Sequence, residues 1–380
     1  MITNDTYKLP DAKIEDIQFL RGIAISMVLL HHLSLTSSLF EYLPGHLSMP
    51  FYTGVEVFFI ISGNVVTLTV LRKPKLDVVD FLKKRAFRLL PAMLVFIAFS
   101  TLVLVLAYTT PPSQFRDTQI IGFMRFAEDA ARTLTGTLLG GDHLYYFGAM
   151  WSLSVEFQFY FGFALVIAIA SKISRPRIFI TSVVLILLAL CFVNKFADFK
   201  IPLISHLIQW RFSFLLIGVV VALFPIKYKI NRFMCLIAFL IGNFVAMVEP
   251  SPIVSPLSAE AWTAMMVSYG ILVVGVSQGA FAAKNIFYRA MVWMGDRSYS
   301  IYLIHFPLMA LLWVVITLWF DFLFFNGPLL YGFVQAILTI PLVCLNSDIL
   351  YKHVEIPFIK MSRLSSNFEM RLRRLIGHNV

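Results

Sequence analysis

Apolar runs closed by proline, glycine or charge follow one another along the whole chain. Ten of them read as helices, at roughly 17–35, 51–71, 88–109, 146–170, 178–195, 203–224, 233–249, 259–281, 298–320 and 327–350. Each is close to the length, about 20 residues, that crosses the hydrocarbon core of a bilayer as a helix. Turn residues mark the gaps: Pro44 and Pro50, Pro74, Pro111 and Pro112, Pro176, Pro202, Pro225, then Pro250, Pro252 and Pro256. There is no internal repeat and no low-complexity linker. The pattern predicts an all-α membrane protein of about ten transmembrane helices. One domain over residues 17–360 lies between a polar segment, 1–16, and a basic tail, 361–380.

Composition narrows the class. The 380 residues are 59% hydrophobic and 14% charged, where soluble domains sit near half and about a quarter. A soluble core, a disordered chain and a disulfide scaffold are all excluded. Cys191, Cys235 and Cys344 lie inside apolar runs with no CxxC spacing, so they read as small buried hydrophobes. The net charge of +10 could suit nucleic acid. Its distribution says otherwise: with the N-terminus inside, 24 Lys and Arg fall in inner segments and 5 in outer loops. That bias puts both termini in the cytoplasm and accounts for the charge without a nucleic-acid partner. The first sixteen residues lack the pattern of a cleaved signal peptide, so the first run serves as its own insertion signal.

Ionisable groups inside apolar runs are expensive and therefore candidates for function. Arg21 and His32 stand eleven residues apart in the first run, on one helix face and about 16 Å from each other. A snorkelling arginine and an interfacial histidine would be the structural alternative. Glu56 opens the second run, whose Ser62 and Gly63 read as helix-packing residues. Arg85 and Arg88 follow in a basic inner loop. Three apart, they face the same way on a helix, which suits phosphates or, equally, anionic lipid. Trp151, Ser152, Ser154 and Glu156 form a polar knot at the start of the fourth run, expected at the outer end, level with His32. Ser298, Tyr302 and His305 share a face of the ninth run. Glu355, beyond the last run, either ties down the tail or acts directly. The chain has no GxxxxGK[ST], GxSxG or HExxH motif, and its other histidines lack metal-ligand spacing.

Taken in order, these residues resemble the acyltransferase-3 family, membrane proteins that O-acylate bacterial surface sugars. The resemblance rests on Arg21 with His32, Phe58-Phe59-Ile60-Ile61-Ser62-Gly63, Arg85-Ala86-Phe87-Arg88-Leu89-Leu90-Pro91, Trp151-Ser152-Leu153-Ser154-Val155-Glu156, the Ser298–Pro307 stretch and Glu355-Ile356-Pro357. It covers about residues 14–360. Asn64 and Gln18 depart from it, where an apolar and an acidic residue are usual.

The resemblance implies a multi-pass protein of the bacterial inner membrane that uses acetyl-CoA, or another acyl-CoA, as co-substrate with no permanent cofactor. Arg21, Arg85 and Arg88 would bind the donor. His32 would act as general base, or be acylated itself, and Glu156 would orient its ring. Trp151, Ser152, Ser154, Glu56, Tyr302 and His305 would line the acceptor side, where a carbohydrate hydroxyl is the expected acceptor. Some relatives add an extracytoplasmic hydrolase-like domain. This chain ends about 30 residues past its last run and would complete transfer alone or pass the acyl group to a separate periplasmic carrier or transferase. The alternative from another class is a proton-coupled transporter, which also needs intramembrane Arg, His and Glu. The outer segment 110–145 is the expected place of acceptor choice.

Overall fold

A computed structural model of the protein describes residues 11–36, 50–72, 76–109, 151–196, 211–249, 258–281, 283, 285–319 and 328–364. The segment 110–145 lies outside them. The described residues form α1 (Asp11–Thr36), a 3-10 turn (Phe51–Thr53) that leads into α2 (Gly54–Leu71), α3 (Val78–Thr109), α4 (Trp151–Ala170) and α5 (Pro176–Phe196). They continue with α6 (Phe212–Leu223), α7 (Arg232–Val248), α8 (Ala259–Ser277), α9 (Ile286–Asp296), α10 (Ser298–Trp319) and α11 (Pro328–Leu350). A π turn at Tyr351–Glu355 carries the last helix on to residue 364.

Eight of these helices are long and apolar enough to cross a membrane, and α6 and α7 are shorter apolar helices. The ten follow the ten predicted runs in order, so the all-α membrane architecture holds. Three boundaries moved. α1 starts at Asp11, inside the segment read as polar, the last helix runs past 350 to residue 364, and α3 starts at Val78. Arg85 and Arg88 therefore sit within a helix that continues through Pro91. The charged residues masked a helical start whose apolar side is already buried: Phe81 packs against Tyr160 and Phe163 of α4, with ring centroids 6.3 and 6.1 Å apart.

Lipid solvates apolar side chains as well as other helices do, so interfaces in membranes select small residues that let backbones meet. α7 shows this inversion. Cys235, Ala238, Gly242 and Ala246 are buried at a three- to four-residue spacing, against α8, while Phe233, Leu240 and Phe244 are exposed. Two contacts bring backbones together, and the first joins α2 to α6. A Cβ on Gly63 would lie 2.0 Å from the Leu215 carbonyl oxygen, and one on Gly218 would lie 2.1 Å from that of Ile60. Gly22 of α1 and Gly295 of α9 meet in the same reciprocal way, at 1.9 Å from Met291 O and 1.8 Å from Gln18 O.

Polar side chains fasten helix ends. Asn231, Ser258 and Asn285 cap α7, α8 and α9 through Met234 N, Ala261 N and Tyr288 N. Asp16, fully buried, accepts from Tyr288 Oη at 2.6 Å and Phe281 N at 2.7 Å. Burial, with that carboxylate beside it, raises the Tyr288 phenol above its ordinary range. Arg297 pairs with Asp348 at 2.6 Å, and its guanidinium stacks on Trp293 and Tyr351, 4.2 and 4.8 Å from the ring centres. These clasps fix α9, α10 and α11 around the core.

Candidate functional site

α2 is the wall between packing and chemistry. Its Ile60–Gly63–Asn64 side meets α6, and its Phe58, Ser62 and Val65 side lines a cavity enclosed with α1, α3, α4 and α10. The cavity has about 770 Å³ of space free of protein atoms, its open mouth included. Arg21, Arg85, Arg88, Glu156, Ser152, Ser298 and Tyr302 all line it. Residues 21, 85, 156 and 298 come from four helices, so only the fold could bring them together.

Each member is held from another helix. Arg21 donates to Ser298 Oγ at 2.6 Å, which ties α1 to the first turn of α10. Glu156 accepts from Ser62 Oγ at 2.5 Å and from Tyr160 Oη, one turn on, at 3.3 Å. Arg85 Cζ stands 5.6 Å from the Tyr160 ring centre and 5.8 Å from that of Phe81. Its Nε is buried with no hydrogen-bond partner. A buried donor without an acceptor is costly unless a ligand supplies one. Glu355, buried at the π turn, accepts from Ser300 of α10. Single-turn π segments recur at functional sites.

Beyond Tyr302 the wall changes character. Tyr302 shares a 2.7 Å hydrogen bond with Ser152. One turn along α10, His305 is fully buried, and its Nε2 lies 3.1 Å from His32 Nδ1. The rings are 4.8 Å apart between centres. Neither histidine is among the residues that line the cavity.

A third group sits at the first turns of α2, α4 and α6. Arg211 donates from Nε to Glu56 Oε1 at 3.2 Å and lies over the Trp151 ring, 4.1 Å from its centre. Glu56 is fully buried, and its other oxygen has no hydrogen-bond partner. Ser154 is half-buried and does not line the cavity. Two residues past Ser152, it points about 200° round α4 from it.

Several expectations change. Glu156 was placed level with His32 as its orienting carboxylate. Its carboxylate instead binds Ser62 and Tyr160, in the same cavity as the three arginines. Five residues carry it about 7.5 Å into α4, away from the helix start. Against the His32 ring lies His305 instead. Ser62 is not a packing residue beside Gly63; it holds Glu156. Sequence reasoning does not single out Arg211, although it lies within the predicted run 203–224. The signal is the guanidinium inside an apolar run, which needs an anion such as Glu56 from another helix. Among the described residues, no three or more His, Cys, Asp or Glu side chains gather as a metal site.

The comparisons with known proteins bear on the family of the chain. The pattern of a family described as an acyltransferase domain matches residues 14–347. O-acetyltransferase OatA of Staphylococcus aureus (strain NCTC 8325 / PS 47) is 27% identical over 372 residues, which cover 90% of this chain and 56% of that protein. The "Putative peptidoglycan O-acetyltransferase YrhL" of Bacillus subtilis (strain 168) is 24% identical over 400 residues, 97% of this chain and 57% of that protein. The chain thus spans a little over half the length of these relatives. No solved structure matches. With the family pattern covering nearly the whole bundle, helices and cavity alike, this chain belongs to the acyltransferase-3 family of membrane proteins.

Proposed function

We propose that the chain is a membrane O-acyltransferase. It takes an acyl group, acetyl in the simplest case, from acyl-CoA on the cytoplasmic side and delivers it to a carbohydrate hydroxyl on the far side. The observation that carries this reading is the cavity with three arginines, one of them holding a buried, unpartnered donor. Guanidinium groups bind phosphate oxygens through charged hydrogen bonds, which strengthen away from water. Arg85 and Arg88 sit on the first turns of α3, at the end of the molecule that the positive-inside bias assigns to the cytoplasm. Diphosphate and nucleotide would lie there, with Arg21 deeper in.

The acyl thioester then points toward Tyr302 and the His32–His305 pair. The acceptor hydroxyl attacks the thioester carbonyl, and its proton passes to His32. A C–O bond forms, the C–S bond breaks, and the CoA thiolate leaves to be protonated. Trp151, half-buried and under Arg211, offers its other ring face to a sugar. The names of the relatives, O-acetyltransferases among them, support the carbohydrate acceptor.

The test is transfer itself. Purified protein in liposomes receives acetyl-labelled CoA and a peptidoglycan or surface-polysaccharide fragment. Base-labile label on the carbohydrate, lost in His32→Ala, is the expected result. Intact wild type that never esterifies a carbohydrate, and instead moves protons with a solute, would replace this reading with the carrier.

A further inference from the structure

The contacts around the cavity arrange its side chains in layers. Ser62 of α2 bonds to Glu156 of α4, and Ser298 of α10 bonds to Arg21. α2 and α4 run the same way, since the first turns of both meet Arg211. Arg85 stands beside Tyr160, one turn on from Glu156 along α4. Tyr299 donates to the Leu89 carbonyl oxygen, which holds Arg88 at the first turn of α10. Every charged residue of the lining therefore lies at the level of Ser62 and Glu156 or to one side of it. On the other side, four residues along their helices from Ser62, Glu156 and Ser298, come Phe58, Ser152 and Tyr302. One turn is about 6 Å, and the 2.7 Å hydrogen bond between Ser152 and Tyr302 puts α4 and α10 in register there.

This end of the cavity is apolar and closed. Phe58, Phe59, Leu153 and, a further turn along, Val55 surround the bonded Ser152–Tyr302 pair. Past them Glu56 follows Val55 and His305 lies one turn beyond Tyr302, both fully buried and neither on the lining. Five of the six end residues are at most 8% exposed, whereas Phe58 is part-exposed. The Phe58 ring is thus the side chain that faces the remaining space.

We propose that this end is the acyl subsite, and that the Phe58 ring sets the longest acyl chain it takes. The assignment rests on the donor reading above: with phosphates on the arginines, the apolar end of the cavity receives the apolar end of the donor. An acyl tail gains by leaving water for a wall of this kind. A chain too long for it has to displace Phe58 or part Tyr302 from Ser152.

S-alkyl-CoA thioethers of rising chain length read the subsite without any chemistry. In wild type, affinity grows about fourfold for each methylene buried, about 0.8 kcal/mol, until the chain meets Phe58, and then falls. Phe58→Ala moves that break about two carbons or more further, because the lost ring leaves room for several methylenes. The first chain that wild type rejects binds Phe58→Ala about fifteenfold tighter, the gain from two methylenes. Phe58→Trp moves the break the other way, and Phe58→Leu, a milder change, covers an Ala variant that does not fold. CoA without an alkyl group binds all of them alike and reports an intact arginine end. A break that stays in place in the Ala, Leu and Trp variants overturns the proposal, as does an affinity that ignores chain length. Wild type that binds neither CoA nor any thioether removes the donor reading, and the subsite with it.

Discussion

Ser62 and Gly63 are neighbours on α2, and they meet two different worlds. Gly63 faces α6, where its backbone lies against that of Leu215 with no room for a methyl group. Ser62 faces the cavity and spends its hydroxyl on Glu156. One side of the helix is packed by removing side chains, and the other is kept open by polar ones. The first holds the wall still so that the second can keep an open space within a bilayer. Burial follows the same divide: Ile60, Gly63 and Asn64 are buried, whereas Phe58, Ser62 and Val65 are only partly so. The difference lies in what each side leaves open. The α2–α6 seam meets backbone to backbone at Gly63 and Gly218, whereas the cavity keeps free space beside a buried arginine donor that has no acceptor.

This contrast can be broken from the packed side first. Gly63→Leu drives a side chain into the α6 backbone and should cost at least about 3 kcal/mol, the upper range for overpacking. The expected result is loss of monodisperse protein on size exclusion, or a large drop in Tm, with or without ligand. A Tm that holds would mean the seam is looser than its geometry. On the open side, Glu156→Gln keeps the hydrogen-bonding shape and removes the negative charge beside three guanidiniums. Acetyl-CoA, an anion, should then bind roughly tenfold tighter, about 1.4 kcal/mol. Titration calorimetry checks the sign, and weaker binding would make Glu156 a direct donor contact. The smallest effect on stability belongs to Ser62→Ala, which removes one hydrogen bond to a carboxylate and little volume. It should lower stability by about 1.5 kcal/mol, the low end for a hydrogen bond to a charged group, less than the overpacking at Gly63.

Much of the architecture was legible because the apolar runs and their proline boundaries record the bilayer directly. The start of α3 was not, because Lys83, Lys84 and Arg85 interrupt the run while the apolar side of the same turns is already packed. Most of the candidate site was legible one residue at a time: Arg21, Arg85, Arg88, Glu156 and Tyr302 are polar groups where lipid tolerates few. Their partners were not. Nothing in a single chain says that Glu156 answers Ser62 rather than His32, since five residues of depth and the rotation of α4 decide it. Arg211 was visible as a charge, but its meaning needed Glu56 and Trp151 from two other helices. The same holds for Ser298 and Arg21, paired across 277 positions of sequence.

The central claim is that the arginine-lined cavity holds the acyl donor, apart from the histidine pair. The most direct measurement is acetyl-CoA binding to detergent-purified wild type, Arg85→Ala/Arg88→Ala and His32→Ala. Loss of two charged hydrogen-bonding groups should weaken binding by about 3 kcal/mol or more, over a hundredfold in Kd. His32→Ala should bind as wild type does while transferring no acyl group. An arginine double variant that binds acetyl-CoA with wild-type affinity, or a wild type that binds no acyl-CoA, would contradict the account.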